Sequence, residues 1–155
     1  MQYQAFQDIL TCPLCKSAVV AKETKYICEN PSCSSEYPIN QGVPVMISSE
    51  NPIFTQDDFQ KPEDVYFRTY KSRFMQVLQK IQPDISMNLS CKENYSFLAS
   101  QLSKKENVKI LIVGGSIDGY GVENLKNNLK SDALLVEADV TFGPNTNIIF
   151  DSHEI

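Results

Sequence analysis

Four cysteines within 22 residues constrain this chain more than any other feature: Cys12-Pro-Leu-Cys15 and Cys28-x4-Cys33. A Cys-x2-Cys turn brings two thiolates to one ion. Twelve residues separate Cys15 from Cys28, enough for a hairpin return before a second knuckle presents Cys28 and Cys33. Four thiolates around one tetrahedral Zn2+ is the expected outcome. Pro13 restricts the first knuckle, and Asn30-Pro31-Ser32 supplies turn chemistry to the longer second loop. With four protein ligands the ion has no open position for water, so its role is structural. Residues 1–48 hold too little apolar mass to fold well unaided. Two alternatives stand beside zinc. A redox Cys-x2-Cys needs a strand before it and a helix after it, whereas proline and turn residues surround both pairs here. Unliganded core cysteines are the other.

The 155-residue chain is long enough for one domain, or a small domain plus part of a larger one. Its net charge of -5 argues against a broad nucleic-acid surface. Five cysteines, four of them clustered, do not make a disulfide-dense secreted scaffold. Residues 1–10 carry no signal-peptide pattern, and the apolar runs are too short to cross a bilayer. The expectation is a cytoplasmic protein in a reducing setting, with no membrane partner.

Tyr37-Pro38-Ile39 and Val43-Pro44-Val45-Met46-Ile47 flank Gln41-Gly42 and read as short edge strands around a turn. Residues 49–61 form a polar linker that touches down at Ile53, Phe54 and Phe59. A helix opens at Pro62-Glu63-Asp64 and ends before Pro83. It carries Phe67, Tyr70, Phe74, Val77, Leu78 and Ile81 as one stripe. A second helix covers about 91–104, with Tyr95, Leu98, Ala99 and Leu102 inward. Cys91 reads as an ordinary helix thiol on it. The organisation is a ribbon at 1–48, a linker and helical segment at 49–105, and a further domain from 106 to 155.

Lys109-Ile-Leu-Ile-Val113 has the signature of a strand buried on both faces. Gly114, Gly115, Gly119 and Gly121 follow, and Val122, Leu125 and Leu129 then fall at helical spacing. Ala133 to Val136 starts a second strand, with Glu137 and Asp139 behind it. Asn147 to Phe150 makes a third, ending at Asp151. Strand, glycine turn, helix is the context of a nucleotide cradle, where ligands bind at the carboxyl ends of parallel strands. An acid after the second strand can accept ribose hydroxyls: Asp139, twenty residues beyond Gly119, or Glu137. An acid after the third strand, Asp151, can reach an adenine amine. His153 reads as a surface or packing residue. Neither Gly-x-Gly-x-x-Gly nor a phosphate P-loop is present, which suits a ligand without phosphates. The fold class is α/β: a small zinc ribbon, then helices, then the first half of a Rossmann-like doubly wound parallel sheet that looks truncated.

Two resemblances follow from these residues. The pattern Cys12, Cys15, Cys28, Cys33, then Tyr37-Pro38-Ile39 and Gly42-Val43-Pro44, resembles the zinc ribbon of the Trm112-like group. That group includes free-standing adaptors of methyltransferases, and similar ribbons occur fused to methyltransferase domains. The segment from about 108 to 155 resembles the opening of class I S-adenosylmethionine-dependent methyltransferases. That likeness implies S-adenosylmethionine as cofactor, with Gly114, Gly115, Gly119 and Gly121 around its amino acid part, Asp139 on the ribose and Asp151 near the adenine. Many members carry an acid two residues before the first glycine; here Ile112 stands there, and Ser116 replaces a common glycine. In the resembling family the acceptor-side residues follow the fourth strand, beyond Ile155. The expectation is therefore the N-terminal portion of a methyltransferase, inactive alone and with its methyl acceptor undefined. It would self-associate or take a partner protein through the ribbon or an open sheet edge. A zinc-ribbon adaptor that docks a partner enzyme or RNA is the competing class, and a nicotinamide enzyme a third.

Overall fold

The computed structural model describes Phe6, residues 8–60 and residues 90–154. The helix expected from Pro62 lies outside these residues. Elements in chain order are β1 (Val19–Ala21), β2 (Lys25–Cys28), β3 (Glu36–Asn40), β4 (Val43–Met46), α1 (Cys91–Leu102), β5 (Lys109–Val113), α2 (Val122–Asn128), β6 (Leu134–Asp139) and β7 (Ile148–Phe150). The chain divides into two compact units. One holds residues 1–65, 109–117 and 134–155; the other holds 66–108 and 118–133.

The first unit is built on a seven-stranded mixed sheet of order β1-β2-β3-β4-β7-β6-β5. β1 to β4 form an antiparallel meander. β5, β6 and β7 are parallel, with Leu111 opposite Val136 and Ala138 opposite Ile148. The two halves join where β4 pairs in parallel with β7, Val45 to Ile149 and Met46 to Phe150.

β3 and β4 were expected as edge strands, and the structure corrects this for both: β3 lies between β2 and β4, and β4 between β3 and β7. The hairpin turn itself matches the sequence. Gln41 (φ 51°) and Gly42 (φ 84°) are both left-handed, as a two-residue turn compatible with strand twist requires. Pro44 is tolerated because pairing with β7 begins one residue later, at Val45. The residue without an N–H lies outside that ladder.

Alternation along the strands gives the sheet two apolar faces. On one, Val136, Ala138, Ile148 and Met46 share a core cluster with Cys12, Cys28, Tyr26 and Tyr37 of the ribbon. On the other, Val45, Ile47, Ile149 and Phe59 pack together, with Phe142 against them. Phe59 belongs to a short 3-10 turn, Gln56–Phe59. The Gln56 amide fixes that turn by donating to the carbonyls of Glu36 (2.9 Å) and Ile47 (3.0 Å).

β5 departs from its expected burial on both faces. It ends the sheet, and Lys109, Leu111 and Val113 are exposed at alternate positions, Leu111 by 50% and Val113 by 55%. An apolar run cannot distinguish a central strand from a terminal one, because the neighbour that would cover it is encoded elsewhere.

In the second unit α1 matches its expected span, and Ala99 is buried. Leu98 was expected inward but is 42% exposed. Asn124 of α2 donates to the Ser96 hydroxyl of α1 at 3.2 Å. Val122 and Leu125 are the buried residues of α2. Cys91 sits, half-buried, at the first position of α1.

The junction of β4 with β7 makes a direct prediction. Ile149 is fully buried, so Ile149→Ala should cost about 2–5 kcal/mol. Urea denaturation should show a lower midpoint with an unchanged slope. Tyrosine fluorescence, to which Tyr26 and Tyr37 of the ribbon contribute, and far-UV circular dichroism should trace one coincident transition. Two separated transitions would contradict a shared core.

Candidate functional site

The four ribbon cysteines meet at one point. Their sulfurs all lie within 4.8 Å of one another, with Cys12 to Cys33 at 3.7 Å and Cys15 to Cys28 at 3.4 Å. Tetrahedral zinc–thiolate bonds of about 2.3 Å place sulfurs roughly 3.8 Å apart, whereas a disulfide needs about 2.05 Å. The four cysteines are thus positioned to bind a metal ion.

Local backbone chemistry explains the convergence. In the first knuckle the Lys16 N–H donates to the Cys12 carbonyl at 2.8 Å, and Lys16 is left-handed at φ 60°. In the second, the Ser34 N–H donates to the Asn30 carbonyl at 2.9 Å, and Ser34 has φ 48°. Asn30 thus occupies the place that Cys12 holds in the first turn. The two extra residues of Cys28-x4-Cys33 are taken up before the turn begins. The Asn30 side chain accepts the Ser32 N–H at 3.0 Å and pre-forms the loop. β1 and β2 are the hairpin return expected between Cys15 and Cys28.

A shell of donors surrounds the sulfurs. The Tyr37 hydroxyl lies 3.0 Å from Cys12 Sγ and the Ser35 hydroxyl 3.1 Å from Cys33 Sγ. Ser17 bonds Cys15 through its hydroxyl and its backbone, lowering that thiol. Burial pushes the Cys28 thiol up, against a backbone bond from Asn30. Burial, then Cys12 beside it, also raises the Tyr37 phenol, so it stays protonated and donates. Thiolates packed this closely and this deeply repel one another, and a divalent cation offsets that repulsion. The sequence reading places Tyr37 in a short strand of the ribbon without a role at the sulfurs, and it misses Ser17 and Ser35. The readable signal was a serine two residues after Cys15 and again after Cys33.

The glycine turn is divided between the two units. Gly114 and Gly115 follow β5 in the first, and both N–H groups donate to the Ala138 carbonyl, at 2.8 and 3.1 Å. Gly114 is left-handed at φ 75°, with open space where a side chain would stand. A Cβ on Gly115 would lie 3.0 Å from Glu137 Cβ, so a side chain here would crowd β6. Gly119 and Gly121 belong to the second unit. Gly121 (φ 87°) precedes α2, and a Cβ there would lie 3.1 Å from the Lys92 backbone nitrogen.

Asp139 ends β6 beside the turn. It accepts the Ser116 N–H on Oδ2 at 3.1 Å and the Thr141 hydroxyl on Oδ1 at 3.2 Å. The Ser116 hydroxyl is buried without a hydrogen-bond partner among the described residues. Gly143, unremarked in the sequence, abuts the Ser116 carbonyl so closely that no side chain fits. Glu137 lies within β6, buried and opposite Ile112.

Asp151 is buried beyond β7. Its carboxylate accepts the His153 N–H at 3.0 Å and the Asn51 amide at 2.9 Å, and lies 2.8 Å from His153 Nδ1. The His153 backbone bond, then Asn51, then the His153 ring hold Asp151 down at about 2. Asp151 thereby ties residue 51 to residue 153.

Comparison with known proteins bears on the ribbon. A UPF0434 protein of Ectopseudomonas mendocina (strain ymp) is 39% identical over 51 residues, covering 33% of this chain and 84% of that protein. The chain belongs to the UPF0434 family. UPF0434 proteins of Pseudomonas fluorescens (strain SBW25) and Pseudomonas syringae pv. tomato (strain ATCC BAA-871 / DC3000) match over 51 residues at 37% and 35% identity. The UPF0434 match lies over the N-terminal third, and with the cysteine cluster it fits a Trm112-like zinc ribbon. No family model and no solved structure matches the chain. Among the described residues no helix is long and apolar enough to cross a membrane.

Tyr37→Phe should retain about one metal ion per chain but weaken it about 10–100-fold, as measured by chelator competition. Cys12→Ser should lose the ion altogether. For Asp151, a depressed folded-state pKa contributes stability above the ordinary value of 3.8 that is lost as pH falls toward about 2. Thermal melts across that window should show a smaller loss on acidification for Asp151→Asn than for the parent chain.

Proposed function

We propose that this chain is a zinc-ribbon protein of methyltransferase lineage. Its ribbon serves in cis as the sheet extension of a Rossmann-like domain, and that domain holds S-adenosylmethionine at the turn after β5. The carrying observation is Asp139. The acid at the carboxyl end of the second parallel strand faces the glycine turn at the end of the first, bonded to Ser116 N–H. The residues present fit the cofactor. Each Asp139 oxygen has accepting capacity left beyond its one bond, the Ser116 hydroxyl lacks a partner, and space lies open beside Gly114. Asp139 would hold the ribose hydroxyls, with Ser116 and Gly114 beside it. When bound, S-adenosylmethionine supplies a methyl group on a cationic sulfur. The zinc ion is structural, since all four of its ligands come from the chain.

A specific observation favours the adaptor reading as well. The Gly114 and Gly115 amides are spent on the Ala138 carbonyl and are not free to meet a ligand. On that reading the α/β part stabilises the ribbon, which docks a partner.

Isothermal titration separates the two. The lineage reading expects one S-adenosylmethionine per chain, with affinity lost in Asp139→Ala while the melting temperature holds. No binding to a folded, zinc-loaded chain, together with capture of one stoichiometric partner through the ribbon, establishes the adaptor instead. Tighter binding of a nicotinamide dinucleotide would overturn both.

A further inference from the structure

A cleft of about 310 Å3 opens on the sheet face that carries the metal knuckle. That volume lies at the small end for ligand sites. Its floor is a diagonal strip across the parallel strands: Leu111, Val136, Ala138, Ile148 and Phe150. Its opposite wall comes from the chain leading into the first knuckle, Ile9 and Leu10, and from the knuckle itself, Pro13 and Lys16. The wall that closes the cleft is therefore the loop that the metal holds.

Charge is placed at the two ends. Lys109 starts β5, at the amino ends of the parallel strands, and has no ion-pair partner among the described residues. Lys16 also lines the cleft. Asp151 lies past the carboxyl end of β7, where Asn51 and His153 already engage its carboxylate. An anion at the lysine end would meet positive charge, and an alkyl tail would run over the aliphatic floor.

We infer that this cleft binds a free, single-chain amphipathic carboxylate, its head group at Lys109 and its tail across Val136 and Ile148, and that binding requires the metal-loaded ribbon. This inference does not depend on the cofactor reading.

Calorimetric titration of the zinc-loaded full chain with octanoate, decanoate and dodecanoate, all below micelle concentrations, tests it. Each added methylene should tighten binding about fourfold until the cleft is full, at one molecule per chain. Lys109→Glu, at an exposed position, should weaken decanoate about tenfold. Val136→Trp should abolish binding by filling the floor, with folding checked by circular dichroism. Removing zinc with a chelator should abolish it too. Decylammonium binding as tightly as decanoate would overturn the inference, as would an unaffected Lys109→Glu variant. So would undiminished binding after zinc removal, or uptake by lipid vesicles with no saturable binding of the free acid. Loss of S-adenosylmethionine binding in Asp139→Ala should leave decanoate binding unchanged, which keeps the two sites distinguishable.

Discussion

The convergence of four thiolates on one point organises the first unit, because the sulfurs do not form a separate appendage. Cys12 and Cys28 lie in the same buried cluster as Val136, Ala138 and Ile148, and Tyr37 reaches from β3 to bond Cys12. A ribbon of this size cannot bury enough apolar surface by itself. Here two sources are open to it: a cation, which the four cysteines are positioned to bind and which would fix the knuckles, and a sheet from the far end of the chain that completes its core. Metal loss would therefore act on strands more than a hundred residues away from the ligands.

The β4–β7 pairing is the mechanical link. It converts an antiparallel meander and a parallel α/β segment into one sheet without exposing an edge between them. The same pairing places the Asp139 and Asp151 ends of β6 and β7 within the ribbon's own compact unit. A zinc site with no open coordination position has no chemistry of its own to offer. Its effect on any ligand of the α/β part comes through position, by holding strands and the cleft wall where they are.

Much of the metal centre was legible before any coordinates. Cysteine spacing alone singled out the four residues that the structure brings together, because ligand geometry tolerates few alternatives once two knuckles lie a hairpin apart. Strand, turn and helix after residue 108 were legible too, since apolar runs and glycines punctuate the chain strongly there. The donor shell was not. Tyr37 in a Tyr-Pro-Ile strand looks like any apolar position, and its hydroxyl acquires meaning through a bond to a residue 25 positions earlier.

Local patterning therefore determined the ligand set, the hairpin turn at Gln41-Gly42 and the existence of the strands, because those depend on the few residues that make them. Tertiary structure alone decided that β4 is a central strand and β5 a terminal one, that Leu98 faces outward, and that Asp139 turns its carboxylate to Ser116. Each of these is a statement about which distant segment lies alongside. Pairing partners are chosen by the summed burial and hydrogen bonding of the whole sheet, which no short window of sequence contains.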